Sequence, residues 1–222
     1  MSSWDEPEKL DSSPLFPLPN VVLFPRAILP LHIFEERYKV MTADALRGER
    51  KIAMALLRPG WEKSYYGAAA IEPVVCVGTI LSHERLEDGK YNFLLQGVAR
   101  ARIVRELSGD LPYRIAQLQR LDETKVLEID LIAARKRLEV AFNNSGLGSI
   151  GIARQFRQML SSAIPTADIA DLIAFNLLED VALKQSLLAQ TDVRQRVEEI
   201  VSAVEALRPP ALLMTAGNPS LN

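Results

Sequence analysis

The sequence predicts an α+β protein in which a small β-barrel is followed by a C-terminal helical bundle. Three observations lead there. Nine of the thirteen prolines fall within residues 1–120, six of them in the first thirty, and proline at that density breaks helices and confines strands to edges and turns. The apolar residues of that half come in short runs bounded by proline and glycine. From Lys125 to Leu207 only Pro165 interrupts, and apolar positions recur at helical spacing. The boundary is placed at Leu121-Asp122-Glu123-Thr124. This gives a barrel over 11–120 and a bundle over 121–208, flanked by segments 1–10 and 209–222 that are expected to be flexible.

The elements follow in order. Leu15-Phe16-Pro17-Leu18 and Ile28-Leu29-Pro30-Leu31 suit proline-studded barrel edges. Glu35 to Leu46 reads as a helix with Tyr38, Met41, Ala45 and Leu46 on one face. Ile52–Leu57 and Val74–Ile80 are compact apolar runs; their length and flanking residues favour strand over buried helix. Asp88-Gly89 supplies the positive φ of a tight hairpin joining Val77–Leu86 to Tyr91–Leu95. Ala99–Ile103 and Tyr113–Leu118 alternate as half-buried strands do. Several short strands closing on themselves make a small barrel.

In the second half, Leu127, Leu131, Leu138 and Phe142 mark a long first helix ended by Asn143-Asn144-Ser145-Gly146. Ile150–Leu160 is the second, Thr166 caps a third carrying Ile169, Leu172 and Ile173, and Leu177–Leu188 is a short fourth. Val193, Val197, Ile200, Val201, Val204 and Leu207 form one stripe, started by an Asp192/Gln195 capping box and stopped at Arg208-Pro209-Pro210. Short connections make these helices a compact antiparallel bundle.

Composition excludes several classes. With 222 residues, 48% hydrophobic and 24% charged, the chain is neither disordered nor collagen-like. The longest uncharged apolar candidate, Pro73–Ser82, is too short to span a bilayer. One cysteine, Cys76, precludes an intrachain disulfide and zinc sites built on two or more cysteines. The acidic Met1–Glu6 lacks a signal pattern, so a cytoplasmic location is expected. A net charge of −2 gives no global attraction to nucleic acid or anionic membranes.

The run Leu15-Phe16-Pro17-Leu18-Pro19-Asn20-Val21-Val22-Leu23-Phe24-Pro25, followed by Leu29-Pro30-Leu31-His32-Ile33-Phe34-Glu35-Glu36-Arg37-Tyr38, resembles the opening of the Lon protease N-terminal domain family. Val77-Gly78-Thr79-Ile80, Asp88-Gly89-Lys90, Leu94-Leu95-Gln96-Gly97-Val98-Ala99-Arg100 and Pro112-Tyr113 extend the resemblance over about residues 11–208. The resemblance implies a PUA-like barrel with a helical bundle, serving substrate recognition and assembly contacts rather than catalysis. No cofactor is expected. The expected partners are unfolded or flexible polypeptides, with room for a separate ATPase or protease and for self-association, and neither a membrane nor a nucleic acid is expected as a partner. No G-x-x-x-x-G-K-[ST] occurs; Gly89-Lys90 is the only Gly-Lys pair and lacks the preceding glycine. With the chain stopping at Asn222, the expectation is a stand-alone form without ATPase and peptidase.

Candidate chemistry is thin. Cys76 with His32 or His83 would make a thiol dyad, but Val74-Val75-Cys76-Val77 reads as core. His32 and His83 with Glu35, Glu36 or Glu84 match no recognised metal spacing. Gly146, Gly148 and Gly151 lack a nearby lysine and read as an interhelical connection, not a phosphate loop. Arg100, Arg102, Arg105 and Arg114 with Tyr91, Phe93 and Tyr113 form the alternative reading, an RNA-binding basic strand face. Residues 1–120 carry a net charge of only +1, which favours a solvated face instead. The sharpest candidates are large apolar residues near turns: Phe24, Ile28, Phe34, Tyr38, Trp61, Tyr65 and Tyr66, with Glu35, Glu36 and Arg37 as a polar rim. Trp61–Tyr66 sits between Pro59-Gly60 and Gly67 and reads as a loop, and loop aromatics supply contact area at low entropy cost. The expected function is a non-catalytic peptide- or protein-binding module.

Overall fold

A computed structural model describes residues 12–144 and 151–207. The expectations for segments 1–10 and 209–222, for Gly146 and Gly148, and for the Arg208-Pro209-Pro210 stop lie outside the described residues.

Among the described residues, the N-terminal part holds six strands and one α-helix: β1 Ser12–Leu18, β2 Ile28–Ile33, α1 Glu36–Arg47, β3 Lys51–Leu56, β4 Val74–Arg85, β5 Tyr91–Leu107 and β6 Arg114–Arg120. Pairing runs β2-β5-β4-β3-β1-β6, and β6 returns to β5. Five strands therefore close a ring, with β2 attached outside it. The length of β5 makes the closure possible. Its first residues pair with β2 and its last with β6, while β4 lies along its other edge. Register shifts at Val77/Gly78, Ile80/Ser82 and Ile103/Arg105 supply the bends a closed sheet needs. Gly78 sits at one of them, where a Cβ would lie 2.7 Å from the Leu95 side chain.

β3 and the first half of β4 are buried on both faces, which is why they read as continuous apolar runs. Leu15, Ala53, Ala55, Val75, Val77, Ala101, Ala116 and Leu118 pack together from all five ring strands. They fill the inside, and the small residues suit a narrow ring. Their neighbours Phe16, Ile52, Met54, Val74 and Cys76 face outward into a larger cluster shared with α1 and the C-terminal helices. The registers Leu15↔Ala53↔Val77 and Phe16↔Met54↔Cys76 keep the two sets apart.

After β6, a 3₁₀ turn at Glu128–Leu131 leads into α2 Ile132–Asn144, then α3 Ala153–Leu160, α4 Thr166–Leu177, α5 Val181–Ala189 and α6 Val193–Ala206. The expected boundary at 121–124 falls in the connection between β6 and this turn. The α6 stripe is buried as its spacing requires and packs against α2 and α4. Asp192 caps it by accepting from the Gln195 N–H at 3.0 Å; the Gln195 amide turns to Glu199, so only half of the box forms.

Several helix boundaries differ from the expectation, and the second bundle helix starts at Ala153 rather than Ile150. Thr166 is the first residue of α4 rather than its cap. Its N–H and hydroxyl both donate to the Glu128 carboxylate, at 2.9 and 2.8 Å, so a distant glutamate caps α4. That contact holds the chain in a 3₁₀ turn at Glu128, and Leu127 precedes the helix, exposed. Leu177 belongs to α4, because Asp180 caps the next helix by accepting from the Leu183 N–H at 3.0 Å.

Candidate functional site

The connection from β3 to β4 carries the aromatic cluster. Gly60 takes φ +86°, a left-handed turn that a side chain resists, and releases a short 3₁₀ segment at Trp61–Ser64 where a loop was expected. Trp61 meets Tyr65 edge-on at 5.4 Å, and Tyr65 meets Tyr66 at 5.1 Å. The start of α1 supplies the polar partners. The Tyr65 hydroxyl donates to Glu35 Oε1 at 2.6 Å, Arg37 Nε donates to Glu35 Oε2 at 3.1 Å, and Arg37 Nη1 donates to the Tyr65 carbonyl at 3.1 Å. The Arg37 guanidinium lies 4.5–5.6 Å from the ring centres of Tyr38, Tyr65 and Tyr66, within cation–π range. Burial, with the bond to Glu35, raises the Tyr65 phenol above its usual pKa.

Glu35, Arg37, Trp61, Tyr65 and Tyr66 thus come together as one surface cluster, with Tyr66 88% exposed. Phe34 is 60% exposed and stacks on His32 at 6.2 Å, beside the exposed Pro30 and Leu94 of the β2–β5 face. Phe24 and Tyr38 correct the expectation: both are core. Phe24 is fully buried against the outer face of the ring, where Gly97 lets its carbonyl approach so closely that a Cβ would stand 2.0 Å away. Tyr38 lies on the buried stripe of α1 with Met41 and Ala45, 4.5 Å from Phe16. Its place on that stripe was the available signal.

Trp61 also walls an apolar cleft of about 660 Å³ between the ring and α5. Pro19, Leu56, Leu57, Pro59, Glu72, Pro73 and Val74 line one side, and Val181, Ala182, Gln185, Ser186 and Ala189 the other. Gln185 is buried and donates to the Val74 carbonyl at 2.9 Å, fixing α5 against β4. The α5 wall was missed from sequence. No spacing marks it, because it becomes a wall only when α5 docks on the ring.

A second missed feature is a buried ionic cluster at the same junction. Arg100 Nη2 reaches both Asp171 oxygens at 2.8 Å, and Arg196 Nε reaches Asp171 Oδ1 at 3.1 Å. Both guanidiniums also meet Glu123 Oε1, at 2.9 and 2.6 Å. Arg100 Nε donates to the Leu188 carbonyl of α5. Asp171 among Ile169, Ala170, Leu172 and Ile173, and Arg196 beside Val193 and Val197, were charges on buried stripes, and that was the readable signal. A polar cleft of about 800 Å³ opens beside this cluster, and its Arg26 is paired with Asp168 at 2.6 Å.

The basic strand face is not assembled as expected. Arg100 is buried, Arg114 pairs with Glu106, and Tyr91, Phe93 and Tyr113 are buried. Cys76 is core, its thiol pushed up to about 12 by burial, and His83 lies seven residues along the same strand. His32 Nδ1 lies 2.7 Å from Asn92 Oδ1. Among the described residues, no group of three or more His, Cys, Asp or Glu is placed to hold a metal ion, and no helix is long and apolar enough to cross a membrane.

Fold and site together define a mixed α+β domain with an aromatic-walled apolar cleft and its single thiol locked in the core. Residues 12–206 match the model of the ATP-dependent protease La (LON) substrate-binding domain, and the chain belongs to that family. Similar proteins include a Lon protease of Desulfosudis oleivorans, 23% identical over 190 residues, and Lon protease 2 of Sorangium cellulosum, 28% identical over 198. These matches cover 86% and 87% of this chain but 23% and 24% of the relatives, so the chain spans about a quarter of their length. Two solved structures share the fold. The N-terminal domain of the Mycobacterium avium complex Lon protease has a TM-score of 0.69 at 15% identity, covering 88% of this chain and 98% of that one. A Lon N-terminal domain protein from Xanthomonas campestris has a TM-score of 0.63 at 21% identity, covering 87% and 98%.

Proposed function

We propose that this chain is a non-catalytic recognition module that grips flexible or unfolded polypeptides by their apolar side chains. In this reading the closed ring is a PUA-like barrel and the C-terminal helices are its bundle. The module works in the cytoplasm, needs no cofactor, and delivers what it holds to a separate ATPase or peptidase. The observation that carries the reading is the apolar cleft walled by Trp61, in a member of a substrate-binding family. Tyr66 and Phe34 add exposed apolar area outside it. Glu35 and Arg37 spend their polar atoms on Tyr65 and on each other, so they shape the surface more than they rim it.

The test is fluorescence anisotropy with a labelled decapeptide of alternating leucine and serine. Trp61→Ala should weaken binding about ten-fold, the scale of a well-packed aromatic anchor. Apolar capture should persist at high salt, whereas a phosphate-backbone contact would collapse there. Unchanged affinity for Trp61→Ala, with an unaltered circular dichroism spectrum, would remove the cleft from the reading.

A further inference from the structure

The β3–β4 connection joins two tasks four residues apart. Trp61 forms part of the cleft wall, and Tyr65 is fastened to α1. The base of the loop is closed independently. The Arg58 N–H donates to the Ala70 carbonyl, the Glu72 N–H to the Leu56 carbonyl, both at 2.8 Å, and Leu57 bridges Ile71. Its returning limb is tied by Arg114, which donates to the Ala69 carbonyl at 2.7 Å. The tip is tied through Tyr65: its hydroxyl to Glu35, its carbonyl to Arg37, and its ring beneath the Arg37 guanidinium at 4.6 Å. The indole of Trp61 leans on that same ring. Whatever moves Tyr65 therefore moves the face against which Trp61 packs.

We propose that Glu35 and Arg37 are positioning residues for polypeptide binding: they clasp Tyr65, and through it set where Trp61 stands in the cleft wall. The inference rests on the cleft being the polypeptide site. A clasp of this kind gives α1 a say in cleft width although α1 lines none of it. The opposite wall is held by separate bonds, Gln185 to Val74 and Arg100 to Leu188, so cleft width depends on the Trp61 side.

The experiment uses the full chain carrying Trp4→Phe, which leaves Trp61 as the single tryptophan. Tyr65→Phe deletes only the clasping hydroxyl, and Glu35→Ala deletes its acceptor. Each should shift Trp61 emission, raise its quenching by acrylamide, and weaken the leucine–serine decapeptide about five-fold, the worth of one hydrogen bond. The double variant should weaken binding no further than Glu35→Ala alone, because the bond that Tyr65→Phe removes is one of those that Glu35→Ala removes. A role confined to stability would lower Tm and leave the native emission alone. The proposal is overturned by unchanged emission and quenching, by moved emission with unchanged affinity, or by additive losses in the double variant. Ala182→Phe fills the cleft from α5, away from the clasp, and should abolish decapeptide binding. If it binds as the parent does, the cleft is not the polypeptide site and the inference falls with it. That failure is distinct, since the emission of Tyr65→Phe is read with no peptide present.

Discussion

Removing the Asp171 charge should be among the most damaging isosteric changes this chain can undergo. Asp171→Asn keeps the shape and one acceptor oxygen but leaves Arg100 and Arg196 sharing a single carboxylate, Glu123. The three side chains are 2%, 4% and 1% exposed for Arg100, Asp171 and Arg196, so the change leaves two nearly buried guanidiniums short of a partner. Breaking a buried pair by deleting one member costs about 3–5 kcal/mol, most of it the uncompensated charge left behind. With a urea m-value of about 1–3 kcal/mol/M, the midpoint should fall by about 1–5 M at unchanged m. Urea unfolding followed by circular dichroism reads this directly. Arg137→Ala is the control: Arg137 bonds Glu205 and Glu198 in equally good geometry but is 41% exposed, and its loss should cost less than about 1 kcal/mol. A loss below about 1 kcal/mol for Asp171→Asn as well would refute the argument that burial, rather than geometry, sets the strength of this cluster.

Two further outcomes are expected from the core. Gly97→Ala places a methyl 2.0 Å from the Phe24 carbonyl oxygen, a backbone atom of the β1–β2 loop, which the Arg26 N–H bond to Gly97 O and the Gly97 N–H bond to Ala27 O hold against this glycine. Stability should fall by at least about 2 kcal/mol, and a thermal midpoint within a degree of the parent would show that the loop yields freely. The Cys76 thiol, raised from 9.0 to about 12, keeps its proton in the folded chain while the unfolded chain releases it. Stability should therefore fall as pH rises from about 9, by up to about 1.4 kcal/mol per unit, and the Cys76→Ala chain should be flatter between about pH 9 and 10, below the range where the raised phenols of Tyr38, Tyr65 and Tyr113 add their own slope. Dithionitrobenzoate at pH 8 should react with Cys76 only at the rate of unfolding.

Much of the ring was legible because strand signals are local. Asp88-Gly89 named its hairpin, and Gly89 takes φ +77° there. The β3 and β4 runs lacked alternation because both faces are buried, and length and flanks sufficed to make them strands. What was not legible came from long-range contacts. Phe24 lies in the same apolar, turn-proximal kind of position as Phe34 and Trp61, and only the docking of the β1–β2 loop onto the ring puts it in the core, whereas Tyr38 was legible from its place on the α1 stripe. Glu128 capping α4 across 38 residues leaves no trace in sequence spacing. The cluster of Glu35, Arg37, Trp61, Tyr65 and Tyr66 was named in full from its residue types, yet its internal bonding was not, because Tyr65 is 30 residues from Glu35.

The size of the cleft limits what binding can achieve. About 660 Å³ admits two or three apolar side chains of a passing segment. Each is worth about 1.5–3 kcal/mol when fully buried. Ordering a flexible chain and losing its freedom on association cancel several kcal/mol of that gain. The balance corresponds to a dissociation constant in the millimolar to high-micromolar range. The lining offers Glu72, Gln185 and Ser186 as polar groups; Glu72 is paired with Arg58 at 3.2 Å and Gln185 is committed to Val74, so little besides the Glu72 charge discriminates one apolar sequence from another. Such a cleft samples chains rather than selecting them. Selectivity would have to come from a second contact on the same polypeptide, and the exposed Phe34 and Tyr66 are placed to supply apolar area for one. Replacing both with serine should then narrow the affinity gap between long and short apolar peptides while leaving the decapeptide unchanged; an equal loss for both lengths would mean that the cleft and these residues act as one site.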